Sequence, residues 1–213
     1  VRLYSQINAE NVMIKVPATA AGYIAMRELT SRGINVNATL IFSPEQAVKC
    51  TQALDEGIKD SNKDIKAVVS VFVSRLDRMA DGDFALKGLQ TSKLGIMNAT
   101  KCYHEVNKFK NLNIRTLFAS TGVKGNDLSP SYYIDNLIFP NSVNTAPLAT
   151  IEDWLKDGSK VETHIMSEVE CDKYFETLKQ KGIKMQAIYD KLLVDGLDSF
   201  KVSFRDLLSK LIN

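Results

Sequence analysis
Short apolar runs alternate with amphipathic stretches along the whole chain, and the period of each run predicts an element. Val12, Ile14 and Val16 alternate with Met13 and Lys15 ahead of Pro17, Ala18 and Thr19. This period of two predicts a strand with Lys15 and Met13 on one face and the three apolar residues on the other. From Ala20 to Ser31, the residues Tyr23, Ile24, Met26, Arg27 and Leu29 predict a helix, closed by Gly33. Ile34 to Ser43 reads as a strand, with Asn35, Asn37, Thr39 and Ile41 opposite Val36, Ala38, Leu40 and Phe42. The second set is wholly apolar and is expected beneath helices. Pro44 opens a further helix that runs to Gly57. Ile65 to Ser74 is a nearly continuous apolar run of the kind found in buried parallel strands, with Ser70 and Phe72 opposite Val69, Val71 and Val73. A long helical region broken near Gly95 follows. Then comes a strand from Ile114 to Ser120, in which Thr116, Phe118 and Ser120 alternate with Arg115, Leu117 and Ala119. The stretch from Ser167 to Asn213 is helical, and its stripe of Leu197, Phe200, Phe204, Leu208 and Leu211 is expected to pack on the domain. Leu3, Tyr4 and Ile7 have helical spacing at the other end.

Alternation of strand and helix is the signature of right-handed βαβ units and of an α/β fold. Lys15, then Asn37 and Thr39, then Ser70, then Ser120 are each polar and each late in a strand. In a (β/α)8 TIM barrel, residues placed in this way look into the active-site mouth at the C-terminal strand ends. A doubly wound sheet would carry a glycine-rich turn after a strand, and the sequence has none. The expected organisation is therefore one domain over 1–213, with barrel units over 1–150 and C-terminal helices over 151–213.

At 213 residues and 45% hydrophobic content, the chain can bury one sizeable core. Its net charge of +2 gives no electrostatic reason to expect nucleic acid or a charged membrane. No apolar stretch approaches the roughly 20 residues of a membrane helix, and no basic segment in the sequence is followed by an apolar signal core. Cys50, Cys102 and Cys171 are odd in number and widely spaced, which argues against a disulfide framework or a paired-cysteine metal site and fits a reducing cytoplasm. His104 and His164 have no partner at ligand or dyad spacing and are read as structural or surface residues. The acceptor patterns at Asn37 and Asn98 are read as coincidence in the absence of an export signal.

Lys15 is the residue with chemistry to offer. A lysine enclosed in a fold has its ammonium form disfavoured by desolvation, and a free amine suits imine formation with a carbonyl substrate. The plain alternative is an edge-strand lysine whose head reaches water.

The stretches NVMIKVPAT, GINVNATLIFSPEQA, VSVFVSRLD, LFASTGVK and PNSVNTAP, in this order, resemble transaldolases, particularly their longer bacterial forms. That resemblance runs from about Asn11 to Pro147. It implies a (β/α)8 barrel of the pentose phosphate pathway in which a dihydroxyacetone unit passes from sedoheptulose 7-phosphate to glyceraldehyde 3-phosphate, giving erythrose 4-phosphate and fructose 6-phosphate. It places Lys15 as the Schiff-base lysine, Asn37 on substrate hydroxyls and Thr39 beside the catalytic water. Ser70 would bond the substrate, and Phe72 would bound the pocket. Arg75, Ser120 and Lys124 would hold phosphate through a planar guanidinium fork, a hydroxyl with neighbouring amides, and a point charge. No metal or organic cofactor is implied, and the partners are sugar phosphates.

The resemblance also says what is missing. The family's general acid and base are carboxylates on barrel strands one and three, and both would precede Val1. Here Glu10 precedes a strand, and Glu45 and Asp77 follow theirs. The chain supplies about five of the eight strands, counting SVNTAP as the last, so roughly the first three units are expected from an N-terminal portion outside it. Another imine-forming sugar-phosphate aldolase and a non-catalytic sugar-phosphate-binding fragment are the competing readings.

Overall fold
The computed structural model describes residues 1–125, 127–158 and 163–212. After a short helix α1 (Arg2–Ile7), strands and helices follow in the order β1 (Ile14–Pro17), α2 (Ala20–Ser31), β2 (Val36–Ile41), α3 (Pro44–Lys59), β3 (Ala67–Phe72), α4 (Ser74–Leu86) and α5 (Leu94–Asn107). The remainder is β4 (Ile114–Ala119), α6 (Tyr132–Asp135), β5 (Ser142–Asn144), α7 (Leu148–Asp157), α8 (Glu168–Gln180) and α9 (Met185–Ile212). The five strands form one parallel sheet in sequence order, from β1 to β5. Among the described residues the sheet is open, and β1 and β5 are its edges.

The helix boundaries have local causes. Thr19 accepts the Gly22 N–H at 3.1 Å and starts α2. Ser43 and Gln46 form a reciprocal capping box that starts α3, with Pro44 in its first turn. Gly33, at φ +83°, lets the chain turn back from α2 into β2. Helices α2 and α3 pack closely where α3 carries Gly57. A Cβ there would lie 2.0 Å from the Thr30 hydroxyl and 2.4 Å from the Arg27 carbonyl.

One face of the sheet is sealed by helices. Val36, Ala38, Ile41, Val69, Val71 and Phe118 lie in a continuous core with Met26, Leu54, Ala99 and Tyr103 from α2, α3 and α5. The other face carries a second core of Leu40, Phe42 and Phe72, which packs with Leu76 and Phe84 of α4 and with Tyr189 and Leu192 of α9.

Simple alternation assigns Leu40 and Phe42 to the helix-covered face, and the structure moves both to the opposite one. The cause is an irregularity in the β2–β3 pairing between Ala38 and Ile41, where Leu40 takes a left-handed φ of +57°. The Gln46 side chain satisfies the backbone around this bulge. Its carbonyl accepts the N–H groups of Phe42 and Ser43 at 2.9 and 3.1 Å, and its amide donates to the carbonyls of Ala18 and Leu40.

Three other expectations need correction. The break in the long helical region falls between Leu86 and Leu94, whereas Gly95 lies inside the first turn of α5 and approaches α4 closely. Ser120 lies just beyond β4 instead of within it. The stripe on α9 packs only as far as Leu197, because every residue from Asp198 to Leu211 is exposed, including Phe200, Phe204, Leu208 and Leu211. Asn213, the expected end of the helical tail, lies outside the described residues.

Candidate active site
Register decides which side chains share a face. Lys15 pairs with Asn37, and Asn37 with Val68, so Lys15, Asn37 and, two residues after Val68, Ser70 line the sheet face opposite the helix-covered core. The Ser70 hydroxyl donates to the Asn37 side-chain carbonyl at 2.8 Å, which fixes the amide's orientation and leaves its N–H2 group free to donate elsewhere. Thr39 is fully buried beside Pro17 of β1, and its hydroxyl has no partner among the described residues. A buried hydroxyl without a bond is costly, so this atom is suited to a ligand or water partner.

Lys15 is on the expected face but is not enclosed. It is exposed on the edge strand β1, with its Nζ 5.7 Å from the centroid of the Phe200 ring on α9. Enclosure requires strands beyond β1, and the described residues provide none.

Phe72 is nearly buried and meets Phe42 edge to face at 5.3 Å between ring centroids, so it walls the second core. The Arg75 guanidinium lies over that ring, 5.0 Å from its centroid. Burial and the nearby positive charge of Arg78 hold the Arg75 pKa below the usual arginine range.

Ser120 reaches the C-terminal edge of the sheet by an unexpected route. The register pairs Ser70 with Leu117, which puts Leu117 and Ala119 on the Lys15 face and would turn Ser120 to the other. The backbone instead takes φ +58° at Ser120, immediately after β4, and its hydroxyl lies 3.1 Å from that of Ser74. A cavity of about 330 Å³ opens there, lined by Ser74, Arg78, Ser120, Thr121, Gly122 and Lys124 among others. Sequence reading found Ser120 and Lys124 but missed Ser74 and Arg78. The available signal was their four-residue spacing at the start of a helix directly after a strand, which puts both on one side of α4.

Other residues have structural roles. Asp77 is buried, accepts the Gly95 N–H at 2.8 Å and the Tyr133 hydroxyl at 2.9 Å, and joins α4 to the first turn of α5. Burial raises its pKa to about 6 against the lowering effect of those bonds. The His104 Nε2 contacts the Met166 carbonyl at 2.7 Å. Asn98 is fully buried between the Phe42 carbonyl and the Tyr189 hydroxyl, a position closed to a glycan. All three cysteines are buried and unpaired. Among the described residues, no group of histidine, cysteine and carboxylate side chains has the arrangement of a metal site, and no helix is long and apolar enough to cross a membrane.

A family model described as transaldolase/fructose-6-phosphate aldolase matches residues 1–211. The chain is similar to a transaldolase of Campylobacter jejuni subsp. jejuni strain 81-176, at 43% identity over 223 residues, covering 99% of this chain and 66% of that protein. It is likewise similar to a transaldolase of Helicobacter pylori strain Shi470, at 44% identity over 208 residues, covering 98% of this chain and 64% of that protein. The chain thus spans a little under two thirds of the length of these curated relatives.

Proposed function
The chain belongs to the transaldolase/fructose-6-phosphate aldolase family, and from that premise we propose that it carries the imine-forming half of a transaldolase site. The observation that carries the reading is the row of Lys15, Asn37 and Ser70 on one sheet face, with the unpartnered Thr39 hydroxyl beside it.

In this reading the Lys15 amine attacks the ketone carbon of a sugar phosphate, and loss of water gives an imine. The bond between the third and fourth carbons then breaks, its electron pair passing into the imine to give an enamine, while the hydroxyl on the fourth carbon gives up its proton and the departing fragment leaves as an aldehyde. The bound enamine then attacks the carbonyl of an acceptor aldose phosphate, and water releases the lengthened ketose. Asn37 and Ser70 orient substrate hydroxyls, Thr39 holds the water, Phe72 bounds the pocket, and Arg75, Ser120 and Lys124 receive the phosphate. The donor is sedoheptulose 7-phosphate and the acceptor is glyceraldehyde 3-phosphate, in the cytoplasmic pentose phosphate pathway, without a metal or organic cofactor.

We assign the five parallel strands to the later part of a (β/α)8 barrel. Its remaining strands, and the carboxylates that move protons, come from polypeptide outside these 213 residues. Support comes from the two open sheet edges and from the exposed apolar stripe of α9, surfaces that isolated domains ordinarily cover.

Turnover of the donor with and without an acceptor aldose phosphate tests the reaction class. A transaldolase consumes donor at an appreciable rate only when acceptor is present, whereas steady release of free dihydroxyacetone without acceptor identifies an aldolase. The exposure of Lys15 on an edge strand favours a second reading, in which the chain binds sugar phosphate without turnover unless a complementary segment assembles on β1.

A further inference from the structure
We propose that Arg78 is a phosphate-binding residue that sets the preference for phosphorylated over unphosphorylated sugars. The proposal deepens the sugar-phosphate reading above and rests on it for the identity of the ligand.

Arg78 and Ser74 are one turn apart on the first two turns of α4, and both line the cavity at the C-terminal edge of the sheet, with Ser120 and Lys124 across from them. The helix opens towards this cavity, so its N-terminal dipole adds to the positive potential. Within the described residues, neither Arg78 nor Lys124 forms an ion pair, although Arg27 and Arg32 both do. Arg78 also stands close enough to Arg75 for the two positive charges to disfavour one another. Arg78 and Lys124 line one cavity without a counter-charge among the described residues, and a bound dianion converts their repulsion into attraction.

The two arginines are held differently. Arg75 is half-buried against the Phe72 ring, which fixes its plane. Arg78 is exposed and lines the same cavity as the paired hydroxyls of Ser74 and Ser120, so its guanidinium can meet an anion that those hydroxyls hold. The left-handed backbone at Ser120 brings its hydroxyl beside that of Ser74 at the cavity wall. A phosphate gains from this second fork. An unphosphorylated sugar gains nothing from it.

The test measures binding of inorganic phosphate to the full chain by calorimetry, for the wild type and for Arg78→Ala, Arg78→Lys and Arg32→Ala. Arg32→Ala is the control for general charge loss, since Arg32 pairs with Glu28 at the far end of α2. Arg78→Ala is expected to weaken binding about tenfold, corresponding to ~1.4 kcal/mol. Arg78→Lys should recover about half of that loss on the logarithmic scale, and Arg32→Ala should change it less than twofold. In borohydride trapping, Arg78→Ala should raise the fructose 6-phosphate concentration needed for half-maximal adduct about tenfold and leave trapping with unphosphorylated fructose unaffected. Unaltered phosphate binding in Arg78→Ala, an equal loss in Arg32→Ala, or no phosphate binding by the wild type would overturn the assignment. Arg78-dependent phosphate binding without imine formation would sink the transaldolase reading alone. Imine formation with phosphate binding indifferent to Arg78 would sink this one alone.

Discussion
The two faces of the sheet are built on opposite terms. Val36, Ala38, Ile41, Val69, Val71 and Phe118 meet helices and are completely buried. Across the sheet, Lys15 is exposed, Asn37 is half-buried and spends its carbonyl on Ser70, and the buried Thr39 hydroxyl has no partner among the described residues. Only the part of this face over Leu40, Phe42 and Phe72 is covered, by α4 and α9. The helix side is explained by burial of apolar area, roughly 25 cal/mol per Å². The other side makes sense only if a ligand or further polypeptide meets its polar groups. Stability and chemistry are therefore separable by face, and substitutions on one should leave the other largely intact.

The largest effect is expected at Lys15. Replacing it with methionine should lower turnover by at least about 10⁴-fold, as loss of a covalent nucleophile does. The exposed position predicts a melting temperature within about 2 °C of wild type. A variant that keeps its turnover, or that unfolds, erases the distinction between the faces.

Next is a pH effect at the junction of α4 and α5, away from Lys15, Asn37 and Ser70. Asp77 has a folded pKa near 6, above the 3.8 of an ordinary aspartate. The folded protein therefore binds the proton more tightly than the unfolded chain. The stability that this gives is fully present below about pH 4 and is lost as the pH rises through about 6. The difference amounts to ~3 kcal/mol. Denaturant titrations from pH 4 to 7.5 should show wild type losing this amount relative to Asp77→Asn, and parallel curves would contradict the assignment.

Thr39→Val should sharpen the comparison from the other side. The hydroxyl has no partner among the described residues, so stability should change by less than about 1 kcal/mol. Turnover should fall about 10²-fold if that hydroxyl holds the reacting water. A destabilised variant with normal turnover would return Thr39 to a structural role. The smallest effect belongs to Phe204→Ser on the exposed end of α9, which should move stability by no more than about 0.5 kcal/mol. A loss several times larger, seen in a denaturant titration, would mean that the stripe packs on something in solution.

The order of elements was legible because period-two apolar runs and cap residues act locally: Ala20 to Ser31 and Pro44 mark helix ends that the structure keeps. The placing of Lys15, Asn37 and Ser70 on one face was equally legible, since regular strands alternate strictly. What escaped was whatever depends on a departure from regularity or on distant neighbours. The bulge at Leu40 inverts Leu40 and Phe42, and the left-handed turn at Ser120 undoes the alternation of β4. Neither carries a glycine to announce it. Arg78 was missed because a charge on a helix reads as solvated until Ser120 and Lys124, more than 40 residues on in sequence, are brought beside it. The exposure of Lys15 was invisible for a similar reason, because enclosure is a property of the sheet and its edges.

Borohydride reduction in the presence of fructose 6-phosphate, followed by peptide mapping, reveals which amine meets the ketone. One stable adduct is expected, on the peptide containing Lys15, and it should disappear in Lys15→Arg. An adduct on another lysine, or none on a folded chain with phosphate bound, would contradict the role of Lys15.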